Sequence, residues 1–345
     1  MISITVARQA TFALALTAVV GCGYDSTTPY PSTPNPAVQD GLWTSSGSSP
    51  AILRLAPSQL LATGDRVPAT KISTASAELF NLNGIAFDTD GTMWVTSEDD
   101  SMLVSFTPAA LASSGSVGAS RVISPVGGSL SAPTGLAFDN QHRLWVANSG
   151  NGTIARFDRA QLASGGAAVP AVVISGLGHP SALAFDAAGS LWVSNSQASK
   201  VFSFSPAQLN TSGLFAPDVV ISTNGTSITN PAGMAFDASG NLWVGNLANQ
   251  TVVSFSPAQL SASGRPAPRV VVSSNAGSLD IPAGLAFDAD GSLWVMGGAG
   301  ALEKFSSAAL GATGAPAPSV RLAITGHTLF WSVAFWPRPA GLPLN

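Results

Sequence analysis

Short apolar runs separated by polar turns recur along the chain at a nearly constant interval. Residues 284–295 read GLAFDADGSLWV, and close copies begin at Gly84, Gly135, Ala182 and Gly233. In each copy an apolar run reaches an Asp, which can hydrogen-bond the turn backbone, and usually a Gly, which tolerates positive φ. A second run that carries Trp follows, so each copy predicts a β-hairpin.

A sixth copy is divided between the two ends of the chain. Residues 332–336 (SVAFW) correspond to GLAFD, and residues 40–44 (DGLWT) correspond to DGSLWV. The aligned tryptophans then fall at positions 43, 94, 145, 192, 243 and 294, in steps of 51, 51, 47, 51 and 51 residues. Six copies of a four-stranded unit predict an all-β, six-bladed β-propeller. Three strands from the N-terminal part and one from the C-terminal part would close the ring and leave no open sheet edge.

Two further signatures follow each hairpin. Third strands are predicted at MLVSF, TIARF, KVFSF, TVVSF and ALEKF, and we expect their phenylalanines to pack against the next blade. A short helical turn such as SPAQL comes next, with Ser, Thr or Asp as its N-cap, and we interpret these turns as protection for the outer sheet edge. The six aligned tryptophans are expected to fill the wedges between blades.

Composition agrees with a ring of short strands. The 345 residues are 46% hydrophobic and 9% charged, with a net charge of −4, and the repeats cover residues 40–337 and leave a tail at 338–345. No cluster of Lys and Arg is present in the sequence, which argues against nucleic acid or an anionic membrane surface as partner. We expect a monomer.

The N-terminal residues have the pattern of a targeting segment. Arg8 precedes an apolar stretch at 10–20, which is short for a membrane span, and residues 19–22 read VVGC. This stretch resembles the lipobox of bacterial lipoproteins, so residues 1–21 are interpreted as a signal peptide and Cys22 as the lipidated residue. Residues 22–39 form a Pro-, Ser- and Thr-rich tether. The alternative is an ordinary secretory signal with a buried cysteine.

This interpretation predicts an exported protein that reaches the membrane only through its lipid anchor in the cell envelope. Gly23, rather than Asp, follows the cysteine. By analogy with the lipoprotein sorting signals of enteric bacteria, this favours the outer membrane.

The Gly-Leu start, the Asp-x-x-Gly turn and the Leu-Trp-Val return resemble the NHL-repeat and gluconolactonase group of β-propellers. The resemblance covers the whole repeat region and implies the fold. It does not select a function, because such propellers include binding proteins, lactonases and lyases.

The channel mouth of such a ring is the predicted site. Residues before the repeat Gly and at the end of each second strand should surround it, and the candidates for binding a polar ligand are Asn83, Asn148, His179, Asn195 and Asn246. Alternatively, the asparagines only hydrogen-bond their own loops. His179 lies in a four-residue linker, 176–179, where other blades have eight residues. We therefore expect a ligand, or a loop of an envelope protein, to enter over blade 3.

The resemblance to metal-dependent lactonases implies one cation held by Glu and by Asn or Asp residues before the repeat Gly, and only Asn83 matches that pattern. Glu98, Asp99 and Asp100 could hold Ca²⁺ loosely or form a solvated acidic loop. His142 should lie on the face opposite the mouth. We expect no cofactor other than the Ca²⁺ considered above. Because most of the cation ligands are missing, the sequence favours a binding or scaffold module; the alternative is a cation-assisted lactonase or lyase with a degenerate site.

Overall fold

The computed structural model describes residues 40–46, 51–74, 81–222, 227–273, 275, 279–297, 300–327 and 330–342. All of them belong to the compact unit Pro34–Asn345. The predicted signal peptide, Cys22 and the tether lie outside the described residues. Within the described part of the chain, no helix is long and apolar enough to cross a membrane.

The described strands form six antiparallel sheets, which are the predicted blades. The innermost strands of blades 1 to 6 are Leu82–Phe87, Pro133–Phe138, Pro180–Phe185, Pro231–Phe236, Gly284–Phe287 and Phe330–Trp336. The second strands, in the same order, are Met93–Ser97, Leu144–Asn148, Leu191–Asn195, Leu242–Asn246, Leu293–Met296 and Gly41–Ser46. The third strands are Met102–Phe106, Thr153–Phe157, Lys200–Phe204, Thr251–Phe255, Ala301–Phe305 and Ala51–Leu55. The outer strands are Arg121–Ile123, Val172–Ser175, Val219–Ser222, Val270–Ser273, Val320–Ile324 and Thr70–Thr74.

Blade 6 closes the ring as the sequence predicts. Its innermost strand, from the C-terminal part, pairs antiparallel with Gly41–Ser46, and Ala334 lies opposite Trp43. The innermost strand of every blade also contacts the innermost strands of both neighbours. The circle is therefore continuous around a central channel, and the chain ends are held together by main-chain hydrogen bonds.

Each outer strand is covered by the connection between the third and outer strands of the following blade. Three of these connections form a short parallel strand: Gly64–Arg66, Gly115–Val117 and Gly213–Leu214. The other three make a single bridge, at Gly166, Gly264 and Gly314. The helical turns in these connections include α1 (Pro108–Leu111), α2 (Arg159–Ser164) and the 3₁₀ turns Pro57–Leu60, Gln208–Asn210 and Ala309–Gly311. These contacts agree with the edge protection expected from the sequence.

Tryptophans of the second strands fill the wedges between blades, which confirms the prediction. Trp145 meets Phe185 of the next blade edge-on with 6.3 Å between ring centroids, and Trp43 meets Phe87 in the same way at 6.0 Å. The third-strand phenylalanines, however, face the preceding blade and not the next one. Phe157 lies opposite Leu144 in the sheet, one residue away from Trp145. Because neighbouring residues in a strand point to opposite faces, Phe157 and Trp145 must point away from each other.

The turn aspartates bind the backbone as the sequence predicts, and most of them also bind the tryptophan. In blade 2, Asp139 Oδ1 accepts from the N–H groups of Gln141 and Arg143 at 2.9 and 3.0 Å, and Oδ2 accepts from Trp145 Nε1 at 2.8 Å. Equivalent indole bonds join the pairs Asp186–Trp192, Asp237–Trp243 and Asp288–Trp294. His142 holds the turn position where other blades have Gly, with φ of 60°.

Candidate functional site

A cavity of about 230 Å³ lies where the six innermost strands begin, and we call it the cup. Three tiers of side chains line it. The rim is formed by the residue before each repeat Gly: Asn83, Thr134, Ser181, Ala232, Ala283 and Trp331. The second tier is Gly84, Gly135, Ala182, Gly233, Gly284 and Ser332, and the floor is Ile85, Leu136, Leu183, Met234, Leu285 and Val333. Each floor residue is only 5% to 7% exposed, so the cup has an apolar base.

The glycine tier exists because neighbouring innermost strands approach closely here. A Cβ atom on Gly84 would lie 2.5 Å from the carbonyl oxygen of Thr134, and one on Gly135 would lie 2.4 Å from that of Ser181. The pairing register also shifts between Leu82 and Ile85, as a β-bulge does. The repeat Gly therefore allows the blades to meet at the channel.

In blades 1, 3 and 6, a hydroxyl group on the second strand bonds to the rim backbone of the next blade. Thr96 Oγ1 donates to the carbonyl of Thr134 at 2.7 Å, and Ser194 Oγ donates to that of Ala232 at 2.9 Å. In blade 6, Ser45 Oγ donates to the carbonyl of Asn83 at 2.6 Å. These bonds fix the rim backbone, so the rim side chains project from a rigid frame.

A carboxylate supports the blade 1 side of the rim. Glu98 Oε2 accepts from the side-chain amides of Asn81 and Asn83, both at 3.1 Å. Burial raises the pKa of Glu98, while the Asn83 bond lowers it, Asp99 raises it and the charge of His179 lowers it. His179, in the blade 3 linker, is exposed and is not among the residues that line the cup.

The three second-strand asparagines are buried and hydrogen-bonded to their own loops. Asn148 Nδ2 donates to the carbonyl of Ser129 and to Thr153 Oγ1, both at 3.1 Å, and its Oδ1 accepts from the N–H of Ser131 at 3.2 Å. Asn246 makes the matching three bonds, and Asn195 donates to the carbonyl of Leu177. None of the three lines the cup. Ligand binding by these asparagines stays a prediction, and the bonds give them a structural role that needs no ligand.

The residues at the mouth do not fit a tightly held cation. Asn83 uses its amide N–H on Glu98, and the remaining rim positions carry hydroxyl, methyl or indole groups. Ser97 Oγ donates to Asp100 at 2.6 Å, and Asp99 is exposed. No group of three His, Cys, Asp or Glu side chains within the described ranges is arranged to hold a metal ion. The acidic loop at 98–100 therefore has its own hydrogen bonds, and Ca²⁺ binding there stays a prediction.

Sequence reasoning missed one set of contacts at the rim, and it did not name Trp331 among the ligand-binding candidates. Asn81 and Asn83 both donate to Glu98, which lies 17 and 15 positions further along the chain. These contacts depend on the hairpin register. Trp331 replaces a small residue at its repeat position and lines the cup. Its signal was present in the alignment of the repeats, because it is the one large side chain among the six rim positions.

Comparison with known proteins agrees with this architecture. Residues 65–177, which contain blades 1 and 2, match the family described as SMP-30/Gluconolactonase/LRE-like region. No curated protein sequence matches the chain significantly.

Solved structures share the fold at low sequence identity. A catalytically inactive virginiamycin B lyase from Staphylococcus aureus with quinupristin is 12% identical, with a TM-score of 0.51 over 69% of this chain and 70% of that one. A protein of unknown function from Bacteroides caccae is 12% identical, with a TM-score of 0.62 over 86% and 98%. A chain of a nidogen/laminin complex is 15% identical, with a TM-score of 0.54 over 85% and 97%. The chain is thus a six-bladed β-propeller that is similar to the SMP-30/gluconolactonase region over residues 65–177 and shares its fold with the solved structures named above.

Proposed function

We propose that this protein is a binding module that takes a small ligand into the cup. The observation that carries the proposal is a rim of varied side chains above a ring of buried apolar residues, with Asn83 held in place by Glu98. In blades 1, 3 and 6 the bonds within the frame join a second-strand hydroxyl group to the rim backbone, whereas the rim side chains vary around the ring. Such a frame with variable contacts is typical of a ligand site.

Access to the cup is easiest over blade 3. The linker that contains His179 is half the length of the linkers into blades 1, 2, 4 and 5, and Ser196 N–H donates to the His179 carbonyl at 3.2 Å. Gly176 and Gly178 have positive φ there, of 82° and 72°. A ligand, or a loop of an envelope protein, would enter at this point, with His179 at the opening.

We also infer that the propeller is displayed in the cell envelope by a lipid on Cys22, and the VVGC sequence with the Pro-rich tether behind it supports this. Metabolic labelling with a palmitate analogue should mark the wild-type protein and leave Cys22→Ser unlabelled. Equal labelling of the two proteins excludes the anchor. Outer-membrane location would be checked by fractionation.

Blocking the cup tests the binding proposal. Trp331 shows that the repeat accommodates Trp at the rim, so Ala232→Trp should fold and fill the cup. Ala238→Trp places the same side chain in the exposed turn at the opposite end of that blade and is the matched control. Each protein would be incubated with the small-molecule fraction of a cell extract, and retained compounds would be measured by mass spectrometry. A compound kept by the wild type and Ala238→Trp but lost by Ala232→Trp supports the proposal; equal retention by all three contradicts it.

A lactonase or lyase is the second candidate. One observation favours it: burial raises the pKa of Glu98, which is held beside the rim by Asn81 and Asn83, and a carboxyl group with a raised pKa can act in acid–base chemistry. The rim lacks the ligand set for a firmly held cation, so this candidate needs acid–base chemistry carried by Glu98. Metal content of the purified protein, together with hydrolysis of a simple lactone by wild type and Glu98→Gln, separates the candidates.

A further inference from the structure

The rim of the cup has two chemically different sides. At the positions before the repeat Gly, blades 1 to 3 contribute Asn83, Thr134 and Ser181, and blades 4 to 6 contribute Ala232, Ala283 and Trp331. The cup is also lined by Ser196 of blade 3, Asn230 and Leu247 of blade 4 and Ser332 of blade 6. Neighbouring innermost strands contact one another in chain order around the ring, so the three polar residues are adjacent and the three apolar ones are adjacent. A ligand that fills about 230 Å³ must touch both sides. It therefore needs one polar end and an apolar body.

The polar side offers hydrogen-bond acceptors. Thr134 Oγ1 lies 3.0 Å from the carbonyl of Ser181, and Ser181 Oγ lies 3.0 Å from the carbonyl of Pro231. The single proton of each hydroxyl thus has a protein acceptor, and the lone pairs remain for a ligand. Asn83 spends one amide N–H on Glu98 and keeps its Oδ1 as an acceptor and its second N–H as a donor. Acceptors outnumber donors among these three side chains, so the polar end of the ligand should be a donor.

Charge and aromatic surface favour a cationic donor. The loops on the mouth face contain four carboxylates in the described ranges, Glu98, Asp99, Asp100 and Asp280, against Lys200 and two histidines. An excess of negative charge around a concave opening raises the local concentration of cations. The indole of Trp331 supplies a π-face on the apolar side, which attracts a cation within roughly 6 Å of the ring centre.

We propose that the ligand of the cup is a small organic ammonium ion whose N–H groups bind Asn83, Thr134 and Ser181 and whose apolar body lies against Trp331. This proposal rests on the cup being the binding site. The floor residues complete the apolar surface for the body of the ligand.

Three compounds with the same branched carbon skeleton test the ligand class: neohexylammonium (3,3-dimethylbutylammonium), neohexyl alcohol and the carboxylate 3,3-dimethylbutanoate. Isothermal titration should show the ammonium compound binding about tenfold more tightly than the alcohol, and the carboxylate weakest. Trp331→Leu keeps an apolar side chain but removes the π-face, so it should weaken binding of the ammonium compound more than binding of the alcohol.

The Ala232→Trp and Ala238→Trp variants test separately whether a ligand binds in the cup and whether that ligand is an ammonium ion. Binding of the ammonium compound that is lost in Ala232→Trp and kept in Ala238→Trp supports both the cup and the ligand class. If the alcohol or the carboxylate binds as tightly, with the same loss in Ala232→Trp, the ammonium proposal is wrong and the cup stands. Failure of all three compounds to bind also overturns the ammonium proposal. Binding that survives in Ala232→Trp places the ligand elsewhere and overturns the proposed function.

Discussion

Trp145 donates its indole N–H to Asp139 Oδ2 at 2.8 Å, across the hairpin turn of blade 2. The same carboxylate accepts two backbone N–H groups of the turn and an N–H from the Arg143 side chain at 2.6 Å. One aspartate thus joins the turn to the tryptophan that fills the wedge between blades. The Asp and Trp of the repeat are therefore a single structural unit.

Blade 6 provides the matched comparison for this bond. There Trp336 occupies the Asp position, and the buried Nε1 of Trp43 has no hydrogen-bond partner among the described residues. Trp43 otherwise resembles Trp145, since each meets a Phe edge-on and lies under an Arg side chain.

Trp145→Phe should therefore destabilise the protein more than Trp43→Phe does. Both substitutions reduce packing in a wedge, but only the first removes a bond to a carboxylate. Hydrogen bonds to charged groups contribute about 1.5 kcal/mol or more, so we expect a difference of that size in the free energy of unfolding. Urea denaturation of the two variants measures it. Equal losses would show that the indole bond does not contribute.

The ring and its closure could be predicted because they depend on spacing alone. The nearly constant intervals between tryptophans locate Trp43 as a member of the sixth blade, and the structure places Ala334 opposite it. The direction of Phe157 could not be predicted without the pairing register, since a shift of one residue reverses the face. Prediction of the Asn148 bond to its own loop, and of the Asn83 bond to Glu98, would likewise have needed the loop geometry.

A buried carboxylate in blade 5 should make stability depend on pH. Glu303 is 2% exposed at a third-strand position where other blades have apolar residues. Its Oε2 accepts from the Leu279 N–H at 3.2 Å, and Arg321 Nε lies 3.3 Å from Oε1. Burial raises its pKa from 4.5 to about 7, with Arg321 lowering it and Asp280 raising it.

Between these two pKa values the folded protein holds the Glu303 proton and the unfolded chain releases it, so stability should fall as pH rises through this window. Glu303→Gln should match the wild type near the lower end of the window. Above its upper end the variant should be more stable by up to about 3 kcal/mol. Urea midpoints of both proteins, measured at several pH values, give the difference. A difference that stays constant with pH contradicts the assignment.

The closing strand should control cooperativity of unfolding. Deleting residues 330–345 removes the partner of Gly41–Ser46, opens the ring and exposes a sheet edge. We expect a lower urea midpoint and a broader transition than in wild type. Deletion of residues 338–345 is the control, because it leaves the closing strand intact. It also removes Leu342, which packs at the edge of one wedge. Closely similar curves for the two deletions would show that the ring does not depend on this strand.

Trp331 gives the most direct measurement of the central claim, that the ligand binds in the cup. The chain has eight tryptophans, and the other seven are at most 6% exposed in the wedges, whereas Trp331 lines the cavity. Fluorine NMR of protein labelled with fluorotryptophan resolves them, and Trp331→Phe assigns the resonance. Titration with neohexylammonium should move the Trp331 resonance along a saturable curve while the wedge resonances stay nearly fixed. Saturable shifts at wedge tryptophans with Trp331 unmoved would contradict the account.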